Sequence, residues 1–418
     1  MDINFLLYLF NNNHTASNKR TRNNKIFYNI FQLLCYLKFF ISYLIDICFH
    51  KKKTRFLVFN FLIILTTFIL SGCTFKDIDK RAFVTSIGID QSDTSDKKYK
   101  VMIKVAIPKG DPKEPESDFV ILSSNSDSIT EGLSLMKSQI DKELVYGHNN
   151  SILIGENLAK SNIQPLLEFF VRRPDIQMTS YLSMAKPNAF EVLNFKPAEE
   201  MVSGNFLKSF FDFSKTESPY IDSLFLFDAY RRETEEGINI AMPIVEKKKT
   251  QLAVDQIALF NKYKMLMELS SNESETFRLL TTGIYNGNLN LRNKNGIYVI
   301  NLENGKSKYK LIDKDRGIKA KYMIKIKADI EEKITGLATI SESEIADLRK
   351  QVEDKIEAEA TNLLSKIKKK EIDPIGFGLR YMSRDSENRN MDLWDKKYPK
   401  LSFTIQSKVE IKGTGLIQ

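Results

Sequence analysis

The chain has 418 residues, with 62 Lys and Arg against 53 Asp and Glu and only three Cys and three His. Of the net charge of +9, +7 belongs to the first 72 residues, which hold nine basic and two acidic side chains; from Cys73 onward 53 basic residues face 51 acidic ones. That balance removes the main support for a nucleic-acid partner, which needs a basic patch to displace counterions. Beyond Cys73 the one histidine is His148, so a multi-histidine zinc site is excluded and a Ser-His-Asp arrangement has a single candidate.

At the start of the chain, 26–49 is apolar enough for a membrane segment but carries Lys38 and Asp46, with basic residues on both flanks. It reads either as a re-entrant or interfacial segment or as part of an over-extended start, with residues 1–50 not translated and translation beginning near Lys51. Next comes "KKKTR", then fifteen mostly apolar residues, 56–70, then Ser71, Gly72 and Cys73. A basic region, a short apolar run and a small-residue end make a secretory signal. Fifteen residues of helix span only about 22 Å, less than a membrane-crossing helix needs. Leu70-Ser71-Gly72-Cys73 resembles the bacterial lipoprotein box, in which the cysteine thiol is acylated and the leader is cut just before it. Cys73 is therefore the expected lipidation site. Cys35 and Cys48 lie in the leader, so no disulfide is expected beyond it.

After a tether at 73–80, strands are expected at 81–90 and 98–108, the second with Tyr99, Val101, Ile103, Val105 and Ile107 on one face. A further strand is expected at 119–123. Ser128 and Glu131 form a capping box, and Ile129, Leu133, Met136, Ile140 and Leu144 recur at helical spacing. A strand at 150–155, a helix over 158–172 broken near Ser161 and stopped by Pro174, and a strand at 178–185 follow. Residues 187–245 read as more helical and carry the connection to the next domain. From Lys248 the texture changes. Asn295-Gly296 and Asn304-Gly305 each sit between short alternating runs, the signature of hairpin turns in a meander. A strand over 319–330 places Ala320, Tyr322, Ile324, Ile326 and Ala328 on one face. A long helix over 342–370 carries the stripe Leu348, Val352, Ile356, Ala360, Leu363 and Ile367, with its charged face expected in solvent. The strand 401–411 is the last.

Three short motifs invite chemistry. "NGKS" at 304–307 lacks the earlier glycine of a phosphate loop, Ile300 standing in its place, and no helix follows, so it reads as a turn. "YGHNN" at 146–150 places Gly147 at a helix exit, with His148 in a structural role. "DPIGFGLRY" at 373–381 ends the long helix at Pro374, and Gly376 and Gly378 permit unusual backbone angles. Trp394, with Leu393, Tyr398 and Pro399, reads as a core or interface anchor, core being favoured.

Taken in order, "SGC", "DIDKRAFVTSIGID", "YGHNNSILIGENLAK", "LLEFFVRRPDIQ", "MPIV", "EIDPIGFG", "LWDKKYP" and "VEIKGTG" resemble the Ger(x)C family, the C-subunit lipoproteins of nutrient germinant receptors in spore-forming bacteria. The resemblance runs from Cys73 almost to the C-terminus. It departs from the family in its long leader and in lacking the Trp common just after the lipidated cysteine. It implies an α+β, multidomain build with mixed sheets and packed helices, ending in an antiparallel meander plus one long helix. The expected layout is a leader at 1–72, the tether at 73–80, an N-terminal domain at 81–245 and a C-terminal domain at 248–418. The resemblance further implies a lipid anchor on the outer face of the inner spore membrane, partnership with two membrane subunits, no catalysis, and no cofactor or metal. A solute-binding lipoprotein that captures a small nutrient is the alternative; it would show two lobes and a hinged cleft.

Overall fold

The structure, a computed structural model, describes residues 56, 59–61, 63–66, 80–106, 119–196, 206–212, 218–283, 287–314, 317–335, 340–384 and 390–412. The chain divides into two compact units, Met1–Asp77 and Ile78–Gln418. Every buried apolar core residue among those described falls in the second unit, which therefore carries its own cores and folds on its own.

The first sheet has nine strands: β1 (Arg81–Gln91), β2 (Tyr99–Ala106), β3 (Phe119–Ser126), β4 (Glu143–Val145), β5 (Ser151–Gly155), β6 (Tyr181–Lys186), β7 (Ala241–Lys247), β8 (Leu252–Phe260) and β9 (Met265–Leu269). The order is β3-β2-β1-β5-β6-β7-β8-β9, with short β4 also paired to β1. The middle strands β1, β5, β6 and β7 run parallel, and antiparallel hairpins close both ends. Parallel strands are covered on both faces and read as continuous apolar runs; all five residues of β5 are buried. One face carries α1 (Ile129–Met136), α2 (Glu156–Ala159), α3 (Gln164–Val171) and α6 (Leu226–Thr234). The other carries α4 (Ala189–Leu193) and α5 (Phe206–Phe211).

The second sheet, β10 (Gly287–Asn293), β11 (Gly296–Lys314), β12 (Gly317–Lys333) and β13 (Ser402–Ile411), is an antiparallel meander with β13 added parallel to β12. One of its faces packs on α8 (Glu342–Lys369), and α7 (Ser271–Thr281), α9 (Phe377–Met382) and α10 (Met391–Lys397) complete the layer. Its core also takes in Ile257, Leu259, Met267 and Leu269 from β8 and β9. The fold is thus α+β with mixed sheets and packed helices. The long first sheet continues through residue 248, where the texture of the sequence changes: β7 and β8 pair on either side of it.

Local chemistry explains the helix ends. Ser128 Oγ accepts from Glu131 N at 3.1 Å and starts α1. The Glu131 carboxylate reaches past the cap to Asp127 N, at 2.9 Å. Ser270 and Glu273 form a reciprocal capping box on α7. Ser341 caps α8, which has Glu342 and Glu344 in its first turn and Lys366, Lys368 and Lys369 in its last, the polarity that its dipole favours. Lys333 donates to the buried Glu344 at 2.8 Å, and the Tyr298 hydroxyl donates to the same oxygen; together they pin the start of α8 to the sheet.

Four expectations are corrected. Helix α1 stops at Met136, because residues Glu143–Val145 are drawn into pairing with β1; Leu144 is in a strand and Ile140 is extended. Gly147 lies within a 3-10 turn, Tyr146–His148, and not at the exit of an α-helix. Asn304-Gly305 is a bulge inside β11, where the register shifts between Glu303 and Lys306, and Asn304 adopts φ 42. The hairpin to β12 closes instead at Lys314 and Gly317. Finally, the charged flanks of α8 are not all in solvent. Glu353 and Glu357 accept from Val409 N and Ser407 N at 2.8 and 2.7 Å, and Lys366 pairs with Glu273 at 2.6 Å.

The α8 stripe is buried as its spacing requires, with Leu364 added. Ile356→Ala is expected to lower stability by about 2–5 kcal/mol, the usual loss for a truncated core aliphatic. Asp354→Ser, an exposed neighbour, is expected to change it by less than about 0.5 kcal/mol. Urea titrations of the two variants check this; equal losses would mean that α8 is not held by its stripe.

Candidate functional site

Cys73, the expected lipidation site, lies outside the described residues. Just ahead of it the described residues are helical at Phe56, 59–61 and 63–66. Phe56, Phe59, Phe61, Ile63, Ile64 and Leu65 present apolar side chains that are 45–73% exposed. The polar side chains among them, Asn60 and Thr66, bond back to their own helix at Phe56 O and Ile63 O, 2.8 and 2.9 Å.

In the second unit, the C-terminal ends of β1, β5 and β6 meet the N-termini of α2 and α4 around a cavity of about 140 Å³. Crevices at the carboxyl ends of parallel strands are where such sheets bind ligands. Here the acidic groups are engaged. Asp90 accepts from Ala189 N and Phe190 N at 2.8 and 3.1 Å, capping α4. Burial pushes the Asp90 carboxyl up, against the pull of those two N–H groups. Asp93 pairs with Lys100 at 2.5 Å, and Glu156 with Lys160 at 2.5 Å. Among the described residues no group of three His, Cys, Asp or Glu side chains is placed to hold a metal ion. His148 makes an edge contact with Phe83, ring centroids 4.9 Å apart.

The "DPIGFG" stretch proves more consequential than a helix stop. Asp373 is almost fully buried. Its carboxylate accepts from Gly376 N and Phe377 N at 2.9 and 3.0 Å and from Gly378 N at 2.7 Å, so it caps α9. Gly376, with φ 83, supplies the left-handed turn. The same stretch grips the segment that leads into β7. Asn239 N donates to Asp373 O at 2.9 Å, and Asp373 N returns a bond to Asn239 Oδ1 at 2.7 Å. Leu379 N donates to Gly237 O at 2.9 Å, and Arg232 bridges Asn239 O and Pro374 O, each at 3.2 Å. Trp394 lies over Gly378 between Tyr381 and Tyr398, with ring centroids 5.3 and 5.4 Å away. This clasp ties the segment before β7 to the layer on the second sheet. The sequence marks its glycines and Trp394, but not the role of Asp373.

Burial pushes the Asp373 carboxyl up to about 7, against the three N–H donors and Arg232. Burial likewise raises Tyr309 to about 12 and Tyr322 well above the ordinary phenol range. The folded carboxyl thus keeps its proton to higher pH than the unfolded chain's. The stability it contributes is full below about pH 3.8 and is lost as pH rises through about 7. Asp373→Asn, which mimics the neutral acid, is expected to lack this loss. The melting-temperature gap between the parent and this variant should shift against the parent from about pH 5 to about pH 8; a constant gap would refute the raised carboxyl.

No described helix is long and apolar enough to cross a membrane. The fold and its sites define an α+β protein built around a structural clasp. The solved structure titled "Crystal Structure of the GerBC protein" has this fold: TM-score 0.52 and 18% identity, over 78% of this chain and 97% of that one. Residues 75–247 match the family described as spore germination protein N-terminal domain, and residues 255–415 match the spore germination B3/GerAC-like C-terminal family. The chain belongs to the Ger(x)C family of spore germination proteins. Among curated relatives, spore germination protein GerQC of Bacillus cereus is 23% identical over 360 residues, covering 85% of this chain and 98% of that protein. Spore germination protein KC of Bacillus subtilis (strain 168) is 23% identical over 400 residues, covering 85% and 95%.

Proposed function

We propose that this chain is a lipid-anchored subunit of a spore nutrient germinant receptor, held on the outer face of the inner spore membrane through acyl chains on Cys73. One observation carries the reading: the germination-family match begins at residue 75, immediately after the lipoprotein-type box and the exposed apolar helical residues. Two acyl chains anchor firmly, since each buried CH₂ contributes ~0.8 kcal/mol. The subunit assembles with the two membrane subunits of the receptor and stabilises them, with no catalysis of its own. We take 73–80 as tether and 81–245 and 248–418 as its two domains, with β8 and β9 of the second completing the sheet of the first. A solute-binding role has weaker support, because the carboxylates around the 140 Å³ cavity are already paired.

Cys73→Ala leaves no thiol to acylate. The variant is expected to leave the membrane fraction of spores or to persist as uncleaved precursor, and nutrient germination is expected to fall. Membrane fractionation with mass spectrometry of the tether reads both. Normally abundant, lipid-modified protein in the variant would overturn the anchor.

A further inference from the structure

The second sheet has α8 on one face and nothing over the other among the described residues, and that open face is unusually basic. Its side chains fall in register across β11, β12 and β13. One row is Lys310, Lys321 and Thr404; the next is Lys308, Met323 and Gln406; the third is Lys306, Lys325 and Lys408. Lys319, opposite Ile312, extends it. All these lysines are exposed, and none of them makes an ion pair with another described residue. Acidic side chains begin at the border, in the row Glu303, Lys327 and Glu410, and continue beyond it with Asp329 opposite Asn301.

Like charges placed directly opposite one another destabilise a sheet, and Lys310 faces Lys321 while Lys306 faces Lys325. Lysines do protect exposed sheet edges from pairing. That accounts for Lys306, Lys308 and Lys310, which lie beyond Leu302 where β11 has no β10 partner, and for Lys408 on the edge strand β13, but not for Lys319, Lys321 and Lys325 on β12, which is paired on both sides. Two apolar side chains stand among them, Met323 at 40% and Ile312 at 37% exposure. The face is cationic with apolar points, and its charge complements a plane of anionic headgroups.

We propose that this face docks on an anionic lipid bilayer, the lysine ammonium groups meeting phosphate-bearing headgroups and Met323 and Ile312 entering the interface. The proposal rests on the membrane-tethered reading above for bringing the face near lipid. One acyl signal plus a polybasic patch is a known way to hold a protein stably at a membrane, and each lysine near such a surface strengthens attraction roughly fivefold.

The test uses the Ile78–Gln418 unit, which lacks Cys73, so failed acylation and a failed docking face are separate results. Cosedimentation with phosphatidylcholine vesicles, with and without phosphatidylglycerol, is expected to show binding only to the anionic ones, weakening as salt is added. Lys310→Ala with Lys325→Ala is expected to weaken binding by roughly 10- to 30-fold. The melting temperature should hold or rise, since each change relieves an opposed lysine pair. The control pair Lys350→Ala with Lys370→Ala, exposed on and beyond α8, should bind as the parent does. The proposal is overturned if the parent does not prefer anionic vesicles, if the control loses as much as the face variant, or if the unit binds polyglutamate but not vesicles, which would make the face a site for an acidic protein.

Discussion

A single methyl group added at Gly237 is expected to destabilise the Ile78–Gln418 unit by about 4 kcal/mol or more. Gly237 has φ +73, where a Cβ alone costs roughly 1–2 kcal/mol. That Cβ would also lie 2.4 Å from Leu379 N and 2.5 Å from the Gly378 carbonyl carbon. Both are backbone atoms, and Leu379 N is already bonded to Gly237 O. Relief therefore means opening the clasp, which exposes Asp373 and strips α9 of its cap. Trp394 is the single tryptophan of the chain and sits over this contact, so its fluorescence reports on the clasp directly. Gly237→Ala should shift the urea midpoint strongly downward with red-shifted emission. Gly147→Ala, where a Cβ meets nothing within 4 Å, should leave both unchanged. Equal behaviour of the two variants would show that the clasp is not a close backbone contact.

Trp394→Ala is expected to cost about 3–5 kcal/mol, as large aromatic truncations in well-packed cores do. The indole is 1% exposed and fills the space between Tyr381, Tyr398 and Gly378. Its loss leaves a cavity that two tyrosines cannot close. Tyr398 is tied to Ile372 O, and Tyr381 to Asp313 and Lys397. Trp394→Phe keeps a ring in place and should lose clearly less. Urea unfolding followed by circular dichroism measures both; an alanine variant within about 1 kcal/mol of the parent would mean that the site collapses freely.

Where burial is periodic, the sequence was readable. The alternation of β12 and the stripe of α8 predict their buried faces residue by residue, and Ser128 marks the start of α1. The misses arise where tertiary pairing overrides a local signal. Ile140 and Leu144 continue the helical spacing, yet Glu143–Val145 is taken up by β1. Asn-Gly serves a tight turn and a bulge equally well, and only the long partner strand β12 decides that Asn304-Gly305 is a bulge. Residues 252–281 hold β8, β9 and α7; Ser270 and Glu273 do mark the start of α7, whereas β8 lacks a clean alternation because it contributes to both sheets' cores. Asp373 escaped notice because its acceptors' partners come from its own next turn and its burial from elsewhere. The lysine face was hidden by arithmetic: a chain nearly neutral beyond Cys73 can still gather one sign on one face.

The central claim is membership of a membrane receptor through an anchored C-type subunit. It is tested most directly by capturing the full chain, through a tag after Gln418, from detergent-solubilised inner membranes of spores and weighing what comes with it. The account predicts diacylglycerol on Cys73 and co-purification of two integral membrane proteins in fixed proportion. Recovery of the chain alone, acylated and intact, under conditions that preserve other membrane complexes would contradict it.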